Sequence, residues 1–535
     1  MFVPLLVTDF LNRAVKHYGK KIGIVDGKKQ FTYAQFGERV NRLSNALMSL
    51  GIRKGDRVAV IDTNSHRYME LYYGVPQIGA ILLPINIRLT PGDIIYVLND
   101  AEAKCLFVNQ DMVHLVEGSQ LDSVEKMIIM RDEPVGRELG IQGEDYEELL
   151  SHSTPLLDRE WDIDENDPAE MFYTSGTTAK PKGMLHTHRM LYLCAFRDLF
   201  LGSGKGGISD ETVFLQVVPL FHANAWRKVH IITGLGARMV LVRQFLPEDV
   251  CKFIQKERVT YIELVPTMAD MLTQFEDMDR YDVSSVQRIC AGGATLSRAT
   301  HEALIEKFPE AMIFTGYGMS ETTSTGTTAL IKDYLKDMPE EEKREKMRSQ
   351  GFEDFFTQVR VVDADGNDIK PDGKETGEII FRGHTVIDGY WRLPETTENT
   401  IIDGWLHSGD VATIDEDGYL HIVDRLKDMI ISGGENIGSI EIEDVLFSHP
   451  AVSEAAVVAA PHEKWGETPA AVVVIKEGED LTEEALIAHC RQHLAGFKIP
   501  RIIEFRDSLP KGGTGKVLKS QIKAEFWEAH DKKVG

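Results

Sequence analysis

Cysteine is scarce in this chain of 535 residues, which contains five copies. They lie far apart, at Cys105, Cys194, Cys251, Cys290 and Cys490, without a CxxC spacing or a neighbouring pair of histidines. The chain also lacks HExxH. A zinc site or a disulfide framework needs closely spaced ligands, so neither is expected here. We expect reduced cysteines that lie mostly in the core.

Positive charge is also in short supply. The chain has 59 lysines and arginines against 84 aspartates and glutamates, which gives a formal net charge of −25. This charge repels nucleic acid, and no basic stripe with interleaved aromatic residues compensates for it. The composition therefore argues against a nucleic-acid partner.

Long apolar runs are missing as well. No run approaches the roughly 18 residues that are needed to cross a bilayer, and Met1 to Val7 lacks the basic start of a secretory signal. We therefore predict no transmembrane segment and a cytoplasmic location. A hydrophobic content of 43% is that of an ordinary globular protein, and the length favours two or more domains.

Short β-branched runs alternate with helical patterns up to about residue 424. This alternation is typical of α/β layers with buried strands. The predicted strands cover residues 58–62, 103–109, 126–132, 238–242 and 261–265. A helix is predicted over 299–308, and a strongly charged, solvated helix over 332–348.

The pattern changes after Asp424. A helix at 441–449 is followed by strands at 455–461 and 470–476. Thr482 then caps a second helix, which precedes a short strand at 502–510. These elements predict a compact α+β domain at 429–535, joined by a hinge at 425–428 to a large domain at 1–424.

Hydroxyls, lysines and glycines are concentrated in residues 173–183, YTSGTTAKPKG. Glycines allow backbone amides to approach a polyanion, hydroxyls donate to its oxygens, and Lys180 and Lys182 supply charge. The Walker spacing GxxxxGK[ST] is absent, so the P-loop mechanism does not apply. The segment, which we call the phosphate loop, predicts a site for the phosphates of a nucleotide.

Four further motifs follow the phosphate loop in order: GYGMSET at 316–322, WLHSGDVA at 405–412, SGGENIGSIEIE at 432–443 and PKGGTGKVLK at 510–519. With that loop they resemble the adenylate-forming superfamily of acyl-CoA synthetases, luciferases and peptide-synthetase adenylation domains, most closely the fatty-acyl-CoA synthetase branch. The resemblance covers nearly the whole chain. It implies a large N-terminal α/β adenylation domain of several subdomains and a small, mobile α+β C-terminal domain.

An aromatic ring framed by glycines can lie flat against a purine, and a carboxylate four residues later can bind a metal. The resemblance implies that Tyr317 stacks on adenine, while Glu321 and the hydroxyl of Thr174 ligate Mg²⁺. Asp410 would accept hydrogen bonds from the ribose hydroxyls beside Arg425. The other nucleotide-binding residues that the resemblance implies are Ser175, Gly176, Thr177, Thr178, Lys182, Gly292, Gly293, Thr315, Gly316, Ser320 and Thr322.

The resemblance further implies two half-reactions that use ATP, Mg²⁺ and coenzyme A. In the first, Lys516 would hold the attacking carboxylate and the α-phosphoryl oxygens. The small domain would then turn about Lys427. This rotation would bring the loop that contains Gly434 and Asn436 to the active site for thioester formation.

The segment Val217 to Trp226 resembles the acyl-pocket region of the superfamily. In this comparison His222 lies beside the substrate carboxylate and is catalytic, Ala223 lines the acyl pocket, and Trp226 gates it. Amino-acid-activating relatives normally carry an aspartate near this wall, and none occurs between Val213 and Val229. A plain carboxylic acid is therefore the expected substrate.

One departure concerns Arg227, Lys228 and His230, where fatty-acyl relatives are typically apolar or uncharged. A cation that points into the acyl tunnel would need a counter-anion, and the substrate could then carry a second carboxylate. Alternatively, these side chains face solvent or a subunit interface. The sequence leaves both readings open.

Together these features predict an ATP-dependent acyl-CoA synthetase that acts on a fatty or related organic acid, and a homodimer by analogy. Four alternatives share some or all of the motifs. They are an aryl or dicarboxylic acid–CoA ligase of the same mechanism, an adenylating enzyme that loads a carrier protein, a luciferase-like oxygenase and a non-catalytic nucleotide-binding regulator.

Overall fold

The computed structural model describes residues 2–132, 142–156, 162–174, 180–201, 207–433, 435–511 and 517–534. Its strands are β1 Ile22–Asp26, β2 Lys29–Thr32, β3 Arg57–Ile61, β4 Ile81–Pro84, β5 Ala103–Asn109, β6 Lys126–Met130, β7 Glu144–Asp145, β8 Pro168–Thr174, β9 Lys182–Thr187, β10 Val213–Gln216, β11 Arg238–Leu241, β12 Tyr261–Leu264, β13 Arg288–Gly292, β14 Met312–Tyr317, β15 Thr327–Thr328, β16 Phe352–Glu353, β17 Thr357–Val362, β18 Gly377–Gly383, β19 Ile401–Ile402, β20 Trp405–Ile414, β21 Leu420–Arg425, β22 Ile430–Ser432, β23 Glu435–Ile437, β24 Val452–His462, β25 Gly466–Ile475 and β26 Ile502–Phe505.

The α-helices are α1 Thr8–Tyr18, α2 Tyr33–Ser49, α3 His66–Gly74, α4 Pro91–Asp100, α5 Tyr146–Ser151, α6 His188–Leu201, α7 Ala223–Gly234, α8 Pro247–Glu257, α9 Pro266–Thr273, α10 Arg298–Lys307, α11 Glu340–Arg348, α12 Pro394–Thr400, α13 Ser439–Phe447, α14 Glu483–His493 and α15 Lys519–Val534.

A nine-stranded sheet carries the strands that later form the site, in the order β16-β15-β14-β13-β12-β10-β11-β1-β2. The six strands from β14 to β1 in this order pair in parallel. Runs such as Val213–Gln216 and Tyr261–Leu264 are buried at every position, as expected for parallel strands covered on both faces.

A seven-stranded sheet follows the order β7-β6-β5-β3-β4-β8-β9 and ends in an antiparallel pair, β8 and β9. Thr174 at the end of β8 lies opposite Lys182 at the start of β9. The phosphate loop therefore connects two strands whose ends are held together by the sheet.

A partly buried network of charges links the two large sheets. Arg243, which follows β11, forms ion pairs with Asp26 at the end of β1 and with Asp132 beyond β6. His66 Nδ1 lies 2.7 Å from Asp26 Oδ2. Burial raises the pKa of Asp26, but the hydrogen bonds from His66 and Arg243 outweigh it and hold this pKa well below its usual range. The paired charges fix one sheet against the other.

Two smaller sheets complete the fold. Strands β17 to β21 form a five-stranded antiparallel sheet, and β22 to β26 form the sheet of the C-terminal unit with α13, α14 and α15. The predicted class, a large α/β domain with a small α+β domain, is confirmed. The domain limits at 424 and 429, of which the first lies within β21 and the second directly before β22, stay a prediction.

The predicted elements agree with the structure apart from three segments. The strand predicted over 502–510 is shorter and ends at Phe505. The helix predicted over 332–348 is wrong in its first half, because Pro339 cannot continue a helix and α11 begins after it. Lys346 in α11 is also buried and pairs with Asp415 and Asp417, rather than facing solvent. The segment at 432–437, predicted as a loop, instead contributes to the β22–β23 hairpin.

The five cysteines are all buried, in agreement with the prediction that they lie mostly in the core. Among the helices that the structure describes, none combines the length and the apolar character that a membrane crossing requires.

A substitution at Gly351 tests the packing beside β15. Its φ is +72°, and a Cβ there would lie 2.0 Å from the carbonyl oxygen of Thr328. We expect Gly351→Ala to lower the free energy of unfolding by about 2–4 kcal/mol, since left-handed backbone and steric overlap both oppose alanine. Urea unfolding measures this change.

Gly366→Ala is the matched control, because Gly366 has a φ of +81° but no atom within 4 Å of the added Cβ. It should lose only the backbone contribution, about 1–2 kcal/mol. Equal losses in the two variants would show that the close approach at Gly351 has no energetic effect.

Candidate functional site

Glycines mark the carboxyl ends of two neighbouring strands. Gly292 on β13 is the register partner of Gly316 on β14. Both line a cavity, together with Gly293 and Gly318. A Cβ on Gly318 would lie 2.4 Å from the Cα of Thr325, so only glycine fits there. We call this space the glycine cavity. Three of its glycines, Gly292, Gly293 and Gly316, are residues predicted for the nucleotide site.

Tyr317 ends β14 and reaches the neighbouring five-stranded sheet. Its hydroxyl donates to Asp410 Oδ2 at 2.6 Å. Arg425 Nε lies 3.1 Å from Asp410 Oδ1, because Asp410 on β20 and Arg425 on β21 are register partners. Burial, followed by the Asp410 carboxylate, raises the pKa of Tyr317 well above its usual range. Three predicted nucleotide-binding residues are therefore in contact.

Glu321 lies in a short helical turn directly after this segment and is 7% exposed. Tyr390 donates its hydroxyl to Glu321 Oε1 at 2.8 Å, and the amide of Ile387 donates to the Glu321 carbonyl at 2.9 Å. Burial raises the pKa of Glu321, while hydrogen bonds and the more distant charges of Arg425 and Lys182 oppose the rise.

Tyr390 also connects Glu321 to the phosphate loop. Lys182 Nζ lies 5.2 Å from the centre of the Tyr390 ring. The amide of Trp391 donates to the carbonyl of Gly183 at 2.8 Å. Lys180 instead lies over Tyr96, 4.6 Å from the ring centre. Of the predicted loop residues, Ser175, Gly176, Thr177 and Thr178 lie outside the described residues.

Hydrogen bonds fix the segment between Tyr317 and Glu321. His186 Nε2 bonds to the carbonyl of Ser320 at 2.9 Å. The hydroxyl of Thr322 and the backbone of Met319 bond to each other at 3.0 Å. Thr315 is buried, and its hydroxyl donates to the carbonyls of Met347 and Ser349. In this arrangement the hydroxyl does not donate to a nucleotide.

Charged side chains lie at the glycine cavity and next to it. His222 precedes α7, with its ring 4.7 Å from that of Phe221. Arg227 and Lys228, on α7, both lie against Glu263, at 2.6 and 3.1 Å. The alternative in which these cations face solvent is wrong, because their side chains are 5% and 2% exposed. The side chains of Ala223 and Trp226 are outside the described part of the structure.

His230 is buried against Glu170, with 3.3 Å between Nε2 and Oε1. It contacts the rings of Phe10, Tyr72 and Tyr73 in the core. Of the two readings that the sequence left open for His230, the one in which it faces solvent or a subunit interface is wrong, and its partner is a protein carboxylate.

The predicted residues of the second half-reaction lie elsewhere. Asn436 is exposed on β23, where it pairs with Ile431, and Lys427 is exposed beyond β21. Among the contacts that the structure describes, neither side chain contacts Tyr317 or Glu321. Gly434 and Lys516 lie outside the described residues.

Three contributors were missed by the sequence reasoning. Tyr390 lies 69 residues from Glu321, so no local spacing indicated their hydrogen bond. Glu263 interrupts a run that reads as a buried strand, and Arg288 is the first residue of another buried strand. A charge inside such a run was the available signal, since buried charges are rare unless paired.

A divalent cation at Glu321 would need further coordinating oxygens from a bound small molecule. Among the described residues no group of three His, Cys, Asp or Glu side chains could hold a metal by itself. A single carboxylate with a nearby hydroxyl suits Mg²⁺, which binds through one or two protein ligands and the phosphates of its substrate. The residues present therefore fit Mg²⁺ that arrives with a nucleotide.

Comparison with protein families finds two matches. Residues 11–391 match the AMP-binding enzyme family, and residues 441–516 match the AMP-binding enzyme C-terminal domain. The peroxisomal butyrate–CoA ligase of Arabidopsis thaliana is 34% identical over 548 residues, which covers 97% of this chain and 93% of that protein.

Solved structures agree over nearly the whole length. The anthranilate CoA ligase AuaEII, in complex with anthranoyl-AMP, has a TM-score of 0.87 at 25% identity, with 98% of each chain covered. The O-succinylbenzoate coenzyme A synthetase of Bacillus subtilis, in complex with ATP and magnesium ion, has a TM-score of 0.80 at 27% identity, covering 96% of this chain and 99% of that one.

His186 provides a pH test of the segment before Glu321. Burial lowers the pKa of His186 from 6.5 to about 4, so the unfolded chain takes up a proton below pH 6.5 that the folded protein excludes. Stability contributed by this group is complete above pH 6.5 and is lost as the pH falls towards 4. Between pH 7 and pH 5 the native protein should lose about 2 kcal/mol more than His186→Gln.

Urea unfolding at the two pH values measures this difference. His384→Gln, at an exposed position, controls for the substitution itself. An unchanged pH dependence in His186→Gln would contradict the assignment of a neutral, buried imidazole.

Proposed function

The chain belongs to the AMP-binding enzyme family, and on this premise we propose that it is an AMP-forming carboxylic acid–CoA ligase. The observation that carries the proposal is the contact of Tyr317 with Asp410 beside the glycine cavity. It joins the predicted adenine and ribose residues at the edge of one pocket. The relatives named for acid–CoA ligation supply the chemistry of the reaction.

In the first half-reaction, a carboxylate oxygen of the acid attacks the α-phosphorus of ATP. A new oxygen–phosphorus bond forms, and the bond to the bridging oxygen breaks as pyrophosphate leaves. Tyr317 and Asp410 orient the nucleoside, the phosphate loop holds the departing phosphates, and Lys516 aligns the acid with the α-phosphate. The protein contributes mainly orientation and charge.

Mg²⁺ would be held by the Glu321 carboxylate and the Thr174 hydroxyl, and when bound it supplies positive charge to the leaving pyrophosphate. Tyr390 holds Glu321 through the 2.8 Å hydrogen bond and lies under Lys182. We therefore assign Tyr390 as a positioning residue for the phosphate end of the nucleotide.

In the second half-reaction, the thiol of coenzyme A gives up its proton and its sulfur attacks the acyl carbonyl, and AMP leaves with the electron pair of the broken acyl–oxygen bond. A turn of the small domain about Lys427 would bring the β22–β23 hairpin, with Gly434 and Asn436, to the cavity. This turn would have to break the 3.0 Å contact between Arg348 and Asp444.

Three finer predictions accompany this function. The domain limits at 424 and 429, a cytoplasmic location and a homodimer stay proposals. The Arabidopsis relative is named as peroxisomal, so membership of the family does not fix the compartment.

Exchange of labelled pyrophosphate into ATP, measured with a panel of carboxylic acids, tests the first half-reaction. Formation of the thioester with free coenzyme A tests the second. Exchange without a thioester product would instead favour an enzyme that loads a carrier protein. Absence of exchange with every acid would contradict the proposed function.

Lys516→Ala separates the two half-reactions. We expect exchange to fall by about 100-fold or more, because a charge that stabilises the transition state is removed. Thioester formation from a supplied acyl-adenylate should be retained. Lys511→Ala is the matched control, since Lys511 is a nearby lysine that pairs with Glu454. Equal losses in both half-reactions would contradict the assigned role.

Tyr390→Phe tests the positioning of Glu321. We expect the Mg²⁺ concentration for half-maximal exchange to rise about 10-fold, because groups that orient a metal ligand influence affinity by about that factor. The KM of the acid should change little. Tyr334→Phe, at a side chain that is 68% exposed, is the control. An unchanged Mg²⁺ requirement would refute the positioning role.

A further inference from the structure

One face of three parallel strands continues below the glycine cavity. On β13 this face carries Gly292, Cys290 and Arg288 in descending order, because alternate residues of a strand point to the same side. In register beside Arg288 lies Tyr261 on β12, and beside Cys290 lies Phe314 on β14. Arg288 is four residues from Gly292, or about 13 Å along the strand.

A second, small cavity lies at this lower level, and we call it the lower cavity. Arg227, Cys290, Gly316 and Thr325 line both it and the glycine cavity. The two spaces therefore adjoin, and an acid whose carboxylate lies at the strand ends would extend its acyl chain towards Arg288.

The lower cavity is lined by cationic side chains. Arg227, Lys228 and Arg288 contribute to its wall, and among the described residues no carboxylate does. Glu263, which pairs with Arg227 and Lys228, lines the glycine cavity instead. The lower end of the pocket is therefore positively charged on its described surface.

Aromatic rings hold Arg288 in place. Its guanidinium lies 5.0 Å from the ring centre of Phe314 and 5.6 Å from that of Tyr261. The ammonium of Lys228 lies 4.8 Å from the same Tyr261 ring. A guanidinium against aromatic faces keeps a rigid fork of N–H donors that matches a carboxylate.

A hydrocarbon tail is poorly suited to this wall. Methylene groups would displace water from charged side chains without offering them any hydrogen bond, which is unfavourable. A carboxylate at the end of the acyl chain would form charge-assisted hydrogen bonds there. The chemistry of the lining thus selects for an anionic tail.

We propose that the acid carries a second carboxylate at the far end of its acyl chain, which binds in the lower cavity against Arg288 and Lys228. This inference rests on the proposed function, since it assigns the first carboxylate to the strand ends. Gly292 and Arg288 are about 13 Å apart along the backbone of β13, and the Arg288 side chain occupies part of that length, so we expect an α,ω-dicarboxylic acid of medium length.

Suberate and octanoate are matched probes, because they have the same number of carbons and differ in the second carboxylate. In pyrophosphate exchange, we expect the wild-type kcat/KM for suberate to exceed that for octanoate by about 10-fold or more. A higher value for octanoate would overturn the proposal. So would an equal value for 8-hydroxyoctanoate and suberate, because a neutral polar tail would then suffice.

Arg288→Met keeps the approximate volume and removes the charge. We expect it to lower kcat/KM for suberate about 10-fold or more through KM and to leave octanoate unchanged or improved, while Arg288→Lys keeps part of the suberate activity. Thr328→Val, at an uncharged position of the same wall, should affect both acids alike. Equal losses for both acids in Arg288→Met would overturn the assignment. The wild-type ratio decides the question even if Arg288→Met does not fold.

Calorimetric binding of suberate and octanoate without ATP distinguishes this inference from the proposed function. Binding of suberate that Arg288→Met weakens, with no exchange for any acid, would support the lower cavity and refute the ligase. Exchange with octanoate and other monocarboxylic acids, without suberate binding, would support the ligase and refute the second carboxylate.

Discussion

The hydrogen bond from Tyr317 to Asp410 joins two sheets that otherwise carry separate parts of the site. Tyr317 ends a parallel strand of the nine-stranded sheet, and Asp410 lies on the antiparallel sheet that precedes the C-terminal unit. Their contact at 2.6 Å holds the end of β14 against β20. Glu321, four residues after Tyr317, is held by its own hydrogen bond from Tyr390.

Burial of charge is the second constraint on this molecule. Glu263, Glu170 and Asp26 lie in the interior, and each faces a basic side chain or a histidine. An isolated buried carboxylate would be strongly unfavourable, so these partners are required for the fold. Near Arg288 this requirement also has a chemical consequence, because a charged wall prefers a charged ligand.

Sequence reasoning located the parts of the site that lie in continuous motifs. Gly316, Tyr317 and Glu321 belong to one continuous motif, and their identities suggest a nucleotide and a metal. It did not find Tyr390, whose role depends on a contact with a residue far away in the chain. It also left open where the side chains of Arg227 and Lys228 point, because the position of a residue in a helix does not show which neighbouring side chain it contacts.

The sequence by itself determined the α/β class and the order of the motifs, and the resemblance that these motifs carry implied the ligand of each. The class and the motifs follow from local spacing and composition, which do not require knowledge of distant contacts. Only the tertiary structure decided that Tyr390 supports Glu321, that Glu263 receives Arg227 and Lys228, and that Arg288 lies below the glycines. Each of these relations depends on strand register or on packing between remote segments, and neither is encoded in the neighbourhood of a single residue.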